Sequence, residues 1–274
     1  VAAPSGGVEL GTAGAPAPAR LGERFSTTRG WRVATLASAH AESATARTLE
    51  LDVPDWPGHL AGQHVDLRLT APDGYTAERA YSLSSAFDAG APGRVAVTVQ
   101  RVHEGEVSPY LVDAFEPGQM IEVRGPVGGW FVWEPGFADA APVLLIAGGS
   151  GIVPLIAMVR ARRGAGNRTP FRLLYSVRTP DDAMFTDELT GVRGRADGVE
   201  AQVFYTRSAP LDAPREARRI GLQDVAAHGW PPELRPVCYV CGPTGFVEAV
   251  TRMLLALGHD PAAIRAERFG PAGD

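Results

Sequence analysis

The stretch Val143–Pro154, VLLIAGGSGIVP, restricts the fold of this chain more than any other. Its apolar run, Val143 to Ala147, reads as a strand covered on both faces, where parallel strands lose their polar alternation. The run breaks at Gly148-Gly149-Ser150-Gly151, and from Pro154 apolar residues recur at helical spacing through Leu155, Ile156, Met158 and Val159. A helix N-terminus behind a glycine turn offers unpaired backbone N–H groups and the positive end of a helix dipole, which suits a phosphate. Proline fits the first helical turn, where its missing N–H is no loss. The plain alternative is a βα turn with no ligand.

At 274 residues the chain exceeds the usual size of one domain, so two are expected. Twenty-six basic against 31 acidic residues leave a net charge of −5, which gives no general attraction for nucleic acid. No apolar run approaches the ~18 residues of a membrane span. Residues 1–25 have neither the basic start nor the apolar core of a secretory signal, and their Ala, Pro and Gly content predicts a disordered lead-in. The six histidines are scattered without ligand spacing, so no metal site is expected.

The two cysteines, Cys238 and Cys241, are too few for a four-thiolate iron–sulfur cluster. They lie in an apolar strand-like run, where residues three apart point to opposite faces, against a disulfide or shared metal. So low a cysteine count fits a reducing, cytoplasmic location.

Between Gly30 and Gly128 the signals are of β type. Segments 31–36, 48–53, 64–69, 94–99 and 119–123 alternate, punctuated by Pro57-Gly58, Asp73-Gly74, Pro92-Gly93 and Pro117-Gly118. They predict a small antiparallel barrel over residues 26–137. One helix-like insert runs from Ser108 to Phe115, with Ser108 as its cap and Pro109 in its first turn. From Pro142 the period changes. Strands at 143–147, 171–177, 201–206 and 237–241 alternate with helices at 154–163, 184–190, 223–227 and 244–257, which predicts a parallel-sheet α/β domain over residues 138–274.

Three further segments stand in order around the glycine turn: Arg79-Ala80-Tyr81-Ser82, Gly105-Glu106-Val107-Ser108, and Cys241-Gly242-Pro243. Together with Gly149-x-Gly151-x-x-Pro154 they resemble, from about Ser26 to the C-terminus, the ferredoxin–NADP reductase superfamily of flavin- and pyridine-nucleotide-dependent reductases. The resemblance implies a flavin-binding β-barrel followed by a pyridine-nucleotide-binding α/β domain, with no fused iron–sulfur domain.

It also implies site roles. Arg79 matches the arginine placed on the flavin phosphate, and its planar fork suits that partner. Tyr81 matches the aromatic packed on the flavin ring, and Ser82 the hydroxyl near its N5. Val99 and Arg101 fall on the strand beside the flavin pyrimidine edge. Gly105, Glu106, Val107 and Ser108 match a second phosphate grip, which favours FAD, with FMN as the alternative. Gly149, Ser150, Gly151 and Pro154 match the loop under the nucleotide pyrophosphate. Cys241, Gly242 and Pro243 match the segment beside the nicotinamide, where cysteine positions the ring for hydride transfer. Phe269 echoes the terminal aromatic that shields the flavin.

Ser176, Arg178, Thr206 and Arg207 end the next two strands, and no acidic residue stands there to hold a ribose 2′-hydroxyl. Hydroxyl and guanidinium groups suit a 2′-phosphate instead, favouring NADPH, with NADH as the alternative. The implied activity is reduction of a separate acceptor protein, such as a ferredoxin, cytochrome or oxygenase component. Alternatives are a reductase of free flavin, ferric chelates or oxygen, and a flavin-bearing assembly subunit without catalysis. Arg160, Arg162, Arg163 and Arg168 are candidates for an acceptor-docking patch, while Asp187-Glu188 reads as a solvated helix face.

Overall fold

The computed structural model describes residues 30–70, 74–136, 141–193 and 198–270, so the expected lead-in over residues 1–25 lies outside the described residues. Alternation in the first half builds six strands: β1 (Arg32–Ser43), β2 (Ala46–Asp52), β3 (His64–Thr70), β4 (Thr76–Ser82), β5 (Arg94–Gln100) and β6 (Met120–Val127). They form one antiparallel sheet in the order β4-β3-β6-β1-β2-β5. Every second residue turns inward, so Leu36, Leu49, Leu51, Val65, Leu67, Val95, Val97 and Val99 share one core.

The edge strands β4 and β5 curl toward each other and meet where Leu83 bridges Val97 and Ser84 N–H donates to Ala96 O at 2.8 Å. Among the described residues no ladder joins them beyond that point, which leaves a slot between Arg79–Tyr81 and the end of β5. The helix α1 (Ser108–Asp113) is shorter than expected and closes the barrel with Leu111. Ser108 does not cap it. Val107 occupies the cap position, and Ser108 Oγ accepts from Val102 N–H at 3.0 Å, tying down the loop before the helix.

The second half carries β7 (Val143–Gly148), α2 (Ile152–Gly164), β8 (Phe171–Val177), α3 (Thr186–Arg193), β9 (Val199–Tyr205), α4 (Leu222–His228), β10 (Val237–Pro243), α5 (Thr244–Ala256) and β11 (Ile264–Phe269). Its five strands are parallel, in the order β11-β10-β7-β8-β9. All six residues of β7 are buried, as an apolar central strand requires. Cys241 belongs to the core layer on one face of the sheet and Cys238 to the layer on the other, and both are free. The first two turns of α2 are buried all round because barrel residues Ala46, Ala61, Phe131 and Trp133 join the layer that holds them. That shared layer is the seam between the domains.

Two charged features differ from expectation. Arg162 is 1% exposed, donates to Thr169 O and lies over the Phe171 ring, while Arg160 and Arg163 pair with Glu188. Three of the four arginines of the expected patch are therefore engaged in internal contacts, Arg168 alone staying exposed, and Glu188 is a tertiary ion-pair partner in place of a solvated charge. No helix among the described residues is long and apolar enough to cross a membrane.

Candidate functional site

The strand β7 ends in a single 3-10 turn, Gly149–Gly151, from which α2 departs at Ile152, so Pro154 stands in the first turn of the helix. The glycines here answer to space. A Cβ on Gly151 would come within 2.1 Å of Cys241 O, and one on Gly148 within 2.7 Å of the Phe246 ring. Gly242 has φ +154°, and its Cβ would meet Gly148 O at 3.0 Å. The turn and the end of β10 thus touch backbone to backbone, which brings Cys241-Gly242-Pro243 beside Gly149-Ser150-Gly151.

A cleft of about 680 Å³ opens over this contact. Gly149, Ser150, Ser176, Arg178, Thr206, Arg207 and Pro243 all line it, so most of the nucleotide-side residues expected from sequence converge. Arg178 O accepts from Arg207 N–H at 2.9 Å, which holds the ends of β8 and β9 together. Sequence had not singled out two polar lining residues, Arg219 and Asp182, while Gln100, on the strand expected beside the flavin, enters the lining from the barrel. Arg219 adds a third guanidinium, and none of the three pairs with a carboxylate among the described residues. Asp182 is the acidic residue missing from the strand ends; a 3-10 turn delivers it, and Thr179 Oγ1 donates to it at 2.7 Å. Gln100 makes the cleft a two-domain feature.

On the barrel side, Arg79 and Glu106 meet across the slot at 3.2 Å, and Glu106 also accepts from Tyr75 OH at 2.5 Å. The Arg79 motif and the Gly105–Ser108 loop are therefore adjacent. A Cβ on Gly105 would crowd Ser108 Oγ at 3.0 Å. Tyr81 is half-buried, and burial pushes its phenol up to about 12 against the opposing pull of Arg79. Ser82 is 7% exposed, and its hydroxyl finds no hydrogen-bond partner among the described residues. An orphaned buried hydroxyl beside an open slot suits a ligand that supplies the missing partner.

Val99 turns its side chain into the barrel core. The Arg101 N–H is bonded to Thr45 O at 2.7 Å and its guanidinium to Asp113 at 3.1 Å, so these donors are committed inside the barrel domain.

The chemistry-bearing end of β10 has a neighbour that sequence did not single out. In register, Cys241 pairs with Glu267 and Pro243 with Phe269. Burial, helped by the Glu267 charge, pushes the Cys241 thiol well up, so it is a neutral thiol at pH 7 and no nucleophile. Burial also raises the Glu267 carboxyl to about 7. Phe269 packs half-buried against the seam layer. Among the described residues no His, Cys, Asp or Glu cluster could hold a metal ion.

Residues 33–132 match the family described as oxidoreductase FAD-binding domain, and residues 145–252 match the oxidoreductase NAD-binding domain. The chain is 30% identical over 210 residues to the glycine betaine monooxygenase reductase subunit of Chromohalobacter salexigens, covering 76% of this chain and 55% of that protein. It is 34% identical over 214 residues to a flavohemoprotein of Pseudomonas putida, covering 77% and 51% respectively. The chain thus spans about half the length of these relatives. Among solved structures, the FAD/NAD-binding domain of nitric oxide dioxygenase from Vibrio cholerae superposes with a TM-score of 0.77 at 27% identity, over 88% of this chain and 99% of that one.

Proposed function

Because the chain belongs to the ferredoxin–NADP reductase superfamily, joining an FAD-binding to an NAD-binding oxidoreductase domain, we propose that it is a reductase taking reducing equivalents from NADPH and delivering them to a separate acceptor protein. One observation carries this reading. A single cleft gathers the glycine turn, three guanidinium groups that pair with no carboxylate among the described residues and the end of β10, with Gln100 of the barrel also lining it.

Bound FAD would supply the redox chemistry, accepting a hydride from the reduced nicotinamide and releasing electrons to the acceptor. The protein binds and orients. Arg79 and the N–H groups of the Gly105–Ser108 loop hold the flavin phosphates, Arg79 exchanging its Glu106 partner for them. Tyr81 packs against the ring, and the Ser82 hydroxyl donates at its reactive edge, gaining the partner it lacks. The Gly149–Gly151 turn takes the nucleotide pyrophosphate on N–H groups at the start of α2. Arg178, Arg207 and Arg219 hold the 2′-phosphate, which favours NADPH, while Ser176 and Thr206 offer hydroxyls beside them. Cys241, small and neutral, lets the nicotinamide approach closely, and Phe269 covers the flavin face until it arrives. Domain boundaries near residues 137–138 separate the two half-sites.

The reductase subunit among the relatives supports an oxygenase component as the acceptor. The test is to load the protein with FAD, remove free flavin and follow NADPH and NADH oxidation with ferricyanide as artificial acceptor. Oxidation that depends on bound FAD and prefers NADPH is expected. FAD-loaded protein that oxidises neither nucleotide would sink the reading and leave the assembly-subunit alternative.

A further inference from the structure

One polar cluster between the domains has no part in the chemistry above. Glu42, near the end of β1, has a side chain only 9% exposed. Its Oε1 accepts from His40 Nε2 at 3.0 Å and from Thr48 Oγ1 at 2.7 Å, while Oε2 accepts from the Phe185 N–H of the second domain at 2.9 Å. With the Thr48 proton given to Glu42, the Thr98 hydroxyl must donate to Thr48 across their 2.7 Å contact. The relay therefore runs one way, from β5 through β2 to a carboxylate that grips the other domain.

Phe185 sits at φ +57°, unusual for a bulky side chain and sustained only where surroundings over-determine it. Glu42 holds its N–H, and Arg160 stands 5.2 Å over its ring. The Arg160 guanidinium also donates to Glu188 at 2.9 Å and to Ser84 O of the barrel at 2.8 Å. Ser84 follows Ser82 by two residues, and Arg160 rides on the helix that begins at the Gly149–Gly151 turn. The cluster thus ties the nucleotide turn to the strand exit beside the flavin-side hydroxyl. The apolar seam can slide, because hydrophobic contact is non-directional. Charge-assisted hydrogen bonds cannot slide without breaking.

We propose that Glu42 and Arg160 are positioning residues, a polar latch that sets the register in which the two cofactor half-sites face each other. The latch stands on geometry alone; its effect on rate rests on the reductase reading. A misplacement near 1 Å costs such a reaction about 100-fold.

The test uses the FAD-loaded full chain with Glu42→Ala, Arg160→Ala and Arg160→Lys. Alanine removes both carboxylate oxygens, so the Phe185 N–H, Thr48 and His40 all lose their acceptor. Hydrogen exchange of the Phe185 amide should accelerate about tenfold or more in Glu42→Ala. Flavin reduction at saturating NADPH should slow about tenfold to 100-fold in Glu42→Ala and Arg160→Ala, with FAD and NADPH dissociation constants near wild type. Arg160→Lys, which keeps a cation over Phe185, should recover part of the rate. Wild-type exchange at Phe185 in Glu42→Ala, or wild-type reduction rates in both Glu42→Ala and Arg160→Ala, would overturn the latch. If wild-type protein were reduced by neither nucleotide, the reductase reading would fail, and Phe185 exchange would still decide the latch.

Discussion

Ser82 and Glu267 show how burial marks residues that packing alone does not explain. A buried hydroxyl without a partner costs about 1–3 kcal/mol, and Ser82 carries that cost at the slot edge. Ser82→Ala should therefore leave the flavin-free protein as stable as wild type or slightly more so, while slowing flavin reduction about tenfold to 100-fold. Thermal melts and rapid-mixing rates check the two halves; a destabilised variant with normal reduction would make Ser82 merely structural. Glu267 is legible only through register, since nothing local distinguishes it from a solvated glutamate on an amphipathic strand. Its folded pKa of about 7 lies above the ordinary 4.5, so the folded chain binds the extra proton and loses stability as pH rises from 4.5 through 7. Melts of Glu267→Gln against wild type should nearly coincide below about pH 4.5 and diverge in favour of the variant by about pH 8. A pH-independent gap would remove the charge argument.

At the scale of elements, the glycine turn was readable because a fully buried strand, a turn and a helix start each leave a local signature. The segments at 171–177 and 64–69 behave likewise, since their patterns follow from burial on one or two faces. Less readable was α1: Ser108 has the chemistry of a cap, but its hydroxyl is drawn to Val102 N–H by the loop that precedes it. A methyl on Gly151 has nowhere to go except into Cys241 O. Gly151→Ala should weaken NADPH binding about tenfold or more and destabilise the chain by about 2 kcal/mol, with FAD affinity unchanged. Isothermal titration with each cofactor reads the contrast, and equal losses for both would contradict it. Arg207 and Arg219 stand twelve residues apart in the connection between β9 and α4 and converge only in the fold. Arg207→Ala and Arg219→Ala should each lower the NADPH-to-NADH ratio of kcat/KM about tenfold or more, the worth of one charge-assisted hydrogen bond. An unchanged ratio in both variants would shift the preference to NADH, with Asp182 as the ribose partner.

Across the whole molecule, the two-domain plan was legible because the hydrophobic period changes near Pro142. What joins the domains was not. Arg160, Arg162 and Arg163 look like an exposed basic run at a helix end. Only the packing of α2 against the sheet, α3 and the barrel turns them into internal contacts. Glu42 reaches a residue 143 positions away, a separation at which sequence pattern carries no information. The proposed reductase works only if this arrangement lets nicotinamide reduce a flavin held in the barrel slot. Anaerobic rapid mixing of FAD-loaded protein with NADPH, and separately with NADH, tests it most directly. Rapid first-order bleaching of the flavin band is expected, faster with NADPH at equal concentration. A flavin band that stays unbleached with both nucleotides would contradict it.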